Sequence, residues 1–126
     1  MKIALASAKV IDKDIHFNMC SMLEVMRNCS GCADMVLFGE AVLQGFNSLC
    51  WDYETDKHMA VSLTDAPICR MREAAKEYGI AVSFGYIEKV MDSLYSSQIV
   101  IDSAGTIIHN FHRVSEGGKY YWLTDN

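Results

Sequence analysis

Hydrophobic and polar positions alternate in blocks that change period along the chain. Residues 2–8 form a run of small and medium apolar side chains, the pattern of a strand covered on both faces. From Ile15 the apolar set Ile15, Met19, Met22, Leu23 and Met26 recurs at helical spacing, with Asp12 or Asp14 as its N-cap and Gly31 as its stop. Met35–Phe38 is a short buried strand ending at Gly39-Glu40. Residues 41–63 carry no clean period and predict an irregular segment with one helical turn. Thr64 or Asp65 caps the next helix, Pro67 lies in its first turn, Ile68, Met71, Ala74, Ala75 and Tyr78 form its stripe, and Gly79 ends it. Ile80–Tyr86 is a further strand. Leu94–Ile101 and Thr106–Phe111 predict a hairpin whose turn, Asp102-Ser103-Ala104-Gly105, puts Gly105 where a positive φ is needed.

The order β-α-β-(irregular)-α-β-β-β predicts an α/β fold with a mixed β-sheet and helices on one face. No helix is left to cover the other face. No repeat, linker or low-complexity stretch divides the 126 residues, so one domain is expected.

Composition narrows the partners. Hydrophobic residues make up 51% of the chain and charged ones 21%, which is a core-forming balance. A net charge of −5 opposes binding to nucleic acid or to an anionic membrane surface. No apolar run reaches the ~20 residues of a membrane span. Met1–Ala8 faintly resembles a signal peptide, but its apolar stretch is too short, and a first strand is expected instead. The five cysteines (Cys20, Cys29, Cys32, Cys50 and Cys69) are odd in number and irregularly spaced, so a reducing, cytoplasmic setting is expected.

Glu40 is the sharpest candidate for chemistry. It follows a buried strand at its carboxyl end, where open α/β sheets place their ligand crevices. At the edge of an apolar layer it is expected to be partly desolvated, which moves a carboxylate toward the range of a general base. Other motifs carry less. Cys29-Ser30-Gly31-Cys32 has no second ligand pair and lies at a helix end. His109 and His112 point to opposite faces of a strand. Lys9-Val10-Ile11-Asp12 lacks the glycines of a dinucleotide-binding turn. Trp51-Asp52-Tyr53-Glu54 reads as a loop with aromatic anchors.

Asp34-Met35-Val36-Leu37-Phe38-Gly39-Glu40 followed by Leu43-Gln44-Gly45-Phe46 resembles the first motif of the nitrilase, or carbon–nitrogen hydrolase, superfamily, with Gly39 in place of the usual proline. Asn18 in the first helix, Lys76–Val82 leading to Gly85 and Glu88, and Leu94-Tyr95-Ser96-Ser97 through Gly105 resemble further family segments in the same order. The resemblance implies half of an α-β-β-α sandwich and hydrolysis of an amide, nitrile or carbamoyl compound by a glutamate, a lysine and a cysteine, with no cofactor. In that scheme the base helps form a thiolate and the cation holds the oxyanion.

By resemblance Glu40 is the base. The lysine motif falls on Phe111-His112-Arg113, so either Arg113 takes the cationic role or Lys119 does. None of the five cysteines stands where the family places its nucleophile, which lies further downstream. The chain is therefore expected to be the N-terminal part of a hydrolase domain, inactive alone and prone to homo-oligomerise through its bare sheet face. The alternative is a non-catalytic α/β binding domain. A Glu40 buried beside Arg113 or Lys119 favours the hydrolase; an exposed Glu40 far from both favours the alternative.

Overall fold

In the computed structural model, which describes residues 1–112, the elements are β1 (Ile3–Leu5), α1 (Ile15–Cys29), β2 (Met35–Leu37), α2 (Tyr53–Asp56), α3 (Ala66–Tyr78), β3 (Ala81–Val90), β4 (Ser93–Ile101) and β5 (Ile107–His112). The strands form one sheet in chain order, β1, β2 and β3 parallel and β4 and β5 antiparallel. The steps from β1 to β2 to β3 advance in one direction. Right-handed crossovers then put α1 and α3 on the same face, where they pack on each other.

Local chemistry accounts for the helices. Asp14, not Asp12, caps α1, accepting from the Phe17 backbone N at 2.9 Å. Pro67 sits in the first turn of α3, and Gly79 closes that helix in the left-handed region at φ 62°. Met22 and Met26 of α1 and Ile68, Met71, Ala74 and Ala75 of α3 are buried against Val36, Val82, Phe84, Tyr86, Ile99 and Ile101 of the sheet.

The register puts the remaining side chains on the opposite face. Leu5 pairs with Leu37 and Leu37 with Ser83; Gly85 pairs with Gln98 and Gln98 with Phe111. Residues 41–60 cover only one end of this face, where Ala60, Ile87 and Leu94 form a small core with Leu49, Tyr53 and Met59. At the other end Ile3, Leu5, Leu37 and Phe111 are exposed, Leu5 by 80%. Among the described residues, the face expected to be bare is so at this end.

Three elements differ from the sequence reading. The first strand is three residues long rather than spanning 2–8. The third continues past Tyr86 to Val90. It turns through Met91-Asp92 into β4, making a hairpin the sequence analysis missed. Met91 takes φ 55° there. Lys89-Val90-Met91-Asp92-Ser93 lacks the Asn-Gly or Asp-Gly signature that marks such turns. No helix among the described residues is long and apolar enough to cross a membrane.

Candidate active site

The site is built where β2 runs out. Phe38 remains in the sheet, its N–H bonding the Ser83 carbonyl at 2.8 Å. The chain then lifts and crosses over Gly85 of β3, whose N–H bonds the Gly39 carbonyl at 3.0 Å. A Cβ on residue 85 would lie 2.7 Å from both the Ala41 N and the Glu40 Cα. Only glycine permits this crossing, which sets Glu40 on the uncovered face above β3 and β4.

There the Glu40 carboxylate accepts from the Ser96 hydroxyl at 3.2 Å. Glu40, Ser96, Ser97, Gln98 and Phe111 line a cavity of about 250 Å³. Gln98 is held by a bond from its Nε2 to the Ser83 hydroxyl at 2.9 Å. Phe46 is exposed beside this stretch, with its ring tip 4.0 Å from the Cβ position of Gly39.

Buried polar side chains hold the loop behind Glu40. Asn18 donates to the Ile11 and Leu43 carbonyls, both at 2.9 Å, and accepts from the Ile11 N–H at 2.7 Å. Gln44 exchanges two bonds with the backbone of Ile87, both 2.9 Å, acting as a strand partner on the β3 edge. Gly45, at φ 105°, passes so close to Asp12 that a Cβ would clash with its carboxylate oxygen and lie 2.7 Å from its Cα.

On the helix-covered face, at the same end of β5, lies a second polar group. Glu88 is buried and accepts from the Ser97 hydroxyl at 2.7 Å and from Asn110 Nδ2 at 3.0 Å. His112 Nε2 is 3.3 Å from it, and the His112 ring stacks on Tyr95 at 3.8 Å. Tyr86 donates to Asn110 Oδ1 at 2.7 Å. Burial, and then the neighbouring Glu88 charge, push the Tyr86 phenol well above its ordinary value.

Of the residues singled out in the sequence, Glu40 stands at the carboxyl end of a buried strand as expected. It is exposed, because the described residues cover only one end of that face. Arg113 and Lys119 lie outside the described residues. None of the five cysteines, all free, lines the Glu40 cavity. His109 and His112 do fall on opposite faces, and the described residues hold no group of three or more His, Cys, Asp or Glu suited to a metal. Ser96, quoted only within a family-like segment, and Gln98 were given no site role in the sequence reading. Their signal was alternation: two polar residues two apart on a strand share a face.

Fold and site together define a class: one layer of helices on a mixed sheet, presenting a glutamate from a strand end on the uncovered face. The chain belongs to the carbon–nitrogen hydrolase family, whose sequence profile it matches over residues 3–122. It is 33% identical over 112 residues to an aliphatic nitrilase of Rhodococcus rhodochrous, covering 81% of this chain and 29% of that one. It is 28% identical over 119 residues to the arylacetone-specific nitrilase of Alcaligenes faecalis, covering 86% of this chain and 33% of that one. Among solved structures it resembles an amidase from Nesterenkonia sp., with TM-score 0.76 and 19% identity over 90% of this chain and 43% of the amidase. A variant of that amidase is described with acrylamide added at its active-site cysteine; it aligns at TM-score 0.74 and 18% identity, over 90% of this chain and 44% of its own. The fold is thus that of the nitrilase-superfamily amidases. The chain spans about a third of the length of these curated relatives and under half of the solved amidase.

Proposed function

We propose that this chain is the glutamate-bearing part of a carbon–nitrogen hydrolase that cleaves a small amide or nitrile by a Glu-Lys-Cys mechanism. The observation that carries the reading is the placement of Glu40. In a family member, the strand-end glutamate crosses Gly85 onto the uncovered sheet face and meets Ser96 beside an open cavity. Glu40 is the base that takes the proton of an attacking thiol. The cation that holds the oxyanion comes from the stretch after β5, as Lys119 or as Arg113, whose planar fork would replace an ammonium.

In this reading none of the five cysteines, which do not line the Glu40 cavity, is the nucleophile. The family match outweighs the binding-domain alternative that the exposure of Glu40 by itself favours. No cofactor takes part, and a cytoplasmic setting is part of the same reading.

The 126-residue polypeptide, assayed against a panel of simple amides and nitriles, is expected to show no turnover. Turnover that survives replacement of all five cysteines overturns the mechanism. Turnover lost with one of them overturns the assignment of the nucleophile.

A further inference from the structure

Two carboxylates, Asp56 and Glu88, are buried among the described residues. Asp56 is used locally, accepting from the backbone N–H groups of Cys50 at 3.1 Å and Trp51 at 2.9 Å. Glu88 instead ties three strands together. Its Oε1 accepts from Ser97 of β4 and Asn110 of β5 and faces His112 of β5, while Oε2 accepts a second contact from Asn110 at 3.2 Å. Ser97 and Asn110 donate, and the His112 ring nitrogen is able to, which suits a group that when ionised only accepts. The Tyr86 hydroxyl, donating to Asn110 Oδ1, turns the amide so that its NH₂ faces Glu88.

What this grip controls follows from the register. His112 pairs with Ser97 and Phe111 with Gln98, so two successive residues of β5 point to opposite faces. His112 enters the Glu88 cluster, and Phe111 forms a wall of the Glu40 cavity. Among the described strands β5 bonds only β4, and its register slips between Val100 and Ile101. An edge strand held from one side frays easily at its end. The Glu88 cluster is the side-chain anchor at that end.

We propose that Glu88 is a positioning residue for the Glu40 site. Through Asn110 and His112 it fixes the end of β5, and with it Phe111 in the wall of the Glu40 cavity. Its bearing on catalysis rests on the reading above, in which Glu40 is the base. The fixing of Phe111 does not.

Amide hydrogen exchange on the full 126-residue chain, read residue by residue by NMR, tests this. In Glu88→Ala the Phe111 amide, which faces β4, is expected to exchange at least about tenfold faster, while those of Phe84 and Ile99 in the sheet centre stay within about twofold. Glu88→Gln, which keeps one acceptor oxygen, recovers part of the protection. A purely structural contribution speeds all slow amides by the same factor. That result, or unchanged exchange at Phe111, overturns the proposal. Should Glu88→Ala fail to fold, Asn110→Ala keeps Glu88 paired with Ser97 and His112 and is read against the same two outcomes. Exchange needs no catalysis, so a negative result here leaves the hydrolase reading standing, and turnover surviving in the cysteine-free chain leaves this one standing.

Discussion

At the scale of single residues, the site depends on a hydrogen atom where other amino acids carry a carbon. Gly85 lies in a β-strand, where glycine is ordinarily a weakness because it adds backbone entropy and packs nothing. Here the atoms a Cβ would meet are backbone: Ala41 N and Glu40 Cα at 2.7 Å and Gly39 O at 2.8 Å. Backbone cannot rotate away as a flexible side chain can, so the crossing itself has to move. Gly85→Ala is therefore expected to lower stability by about 2–3 kcal/mol, seen as a reduced urea midpoint. It should also shift the NMR signals of Glu40 and Ser96 while leaving those of α1 in place. Unchanged stability in Gly85→Ala would show that Glu40 does not pass over β3 in this way.

At the scale of elements, β3 shows how an irregular segment replaces a missing strand. β2 ends at Leu37 while β3 runs on to Val90, which would leave one edge of β3 without partners. That edge is satisfied piecewise. Gly39 O accepts from Gly85, Leu43 N–H reaches Gly85 O at 3.4 Å, the Gln44 amide pairs with Ile87, and Val61 bridges on to Lys89. Gln44→Ala leaves the Ile87 N–H buried without its acceptor, and is expected to cost about 1–3 kcal/mol by urea unfolding. A loss no larger than that of an exposed glutamine would rule out the strand-substitute role.

This region also marks where sequence reading stopped. The helices, the central strands and the β4–β5 turn were legible because Met22, Met26, Ile68 and Met71 keep a helical period and Gly79 and Gly105 mark their ends. Glu40 was legible because a buried strand leads straight to it. The path of residues 41–63 was not, since it is fixed by side chains bonding distant backbone, as Gln44 does to Ile87 and Asn18 to Leu43, and such pairs leave no periodic trace. The exposure of Glu40 was misjudged for a related reason: burial at a strand end depends on what covers the face, and the described residues cover only one end of it.

At the scale of the whole molecule, the distribution of apolar surface is one-sided. The helix-covered face is closed by Met22, Met26, Ile68 and Met71, whereas Ile3, Leu5, Leu37 and Phe111 stand exposed across the other. Exposed apolar side chains on neighbouring strands, here Ile3 and Leu5 of β1 beside Leu37 of β2, favour association. The nearby β1 edge is only three residues long, which limits strand-to-strand pairing and leaves the flat face as the adhesive surface. The 126-residue polypeptide is accordingly expected to self-associate, with sedimentation showing dimers or larger species whose share grows with concentration. Replacing Leu5 and Leu37 together by lysine puts two charges on that face and should shift the distribution to monomer. The helix-covered core is untouched, so the unfolding midpoint of the monomer should stay within about 0.5 kcal/mol of wild type. A wild-type chain that stays monomeric at high concentration would mean that this face is not adhesive. Association that persists in the double variant would place the contact elsewhere, with the β1 edge and Phe111 the next surfaces to alter.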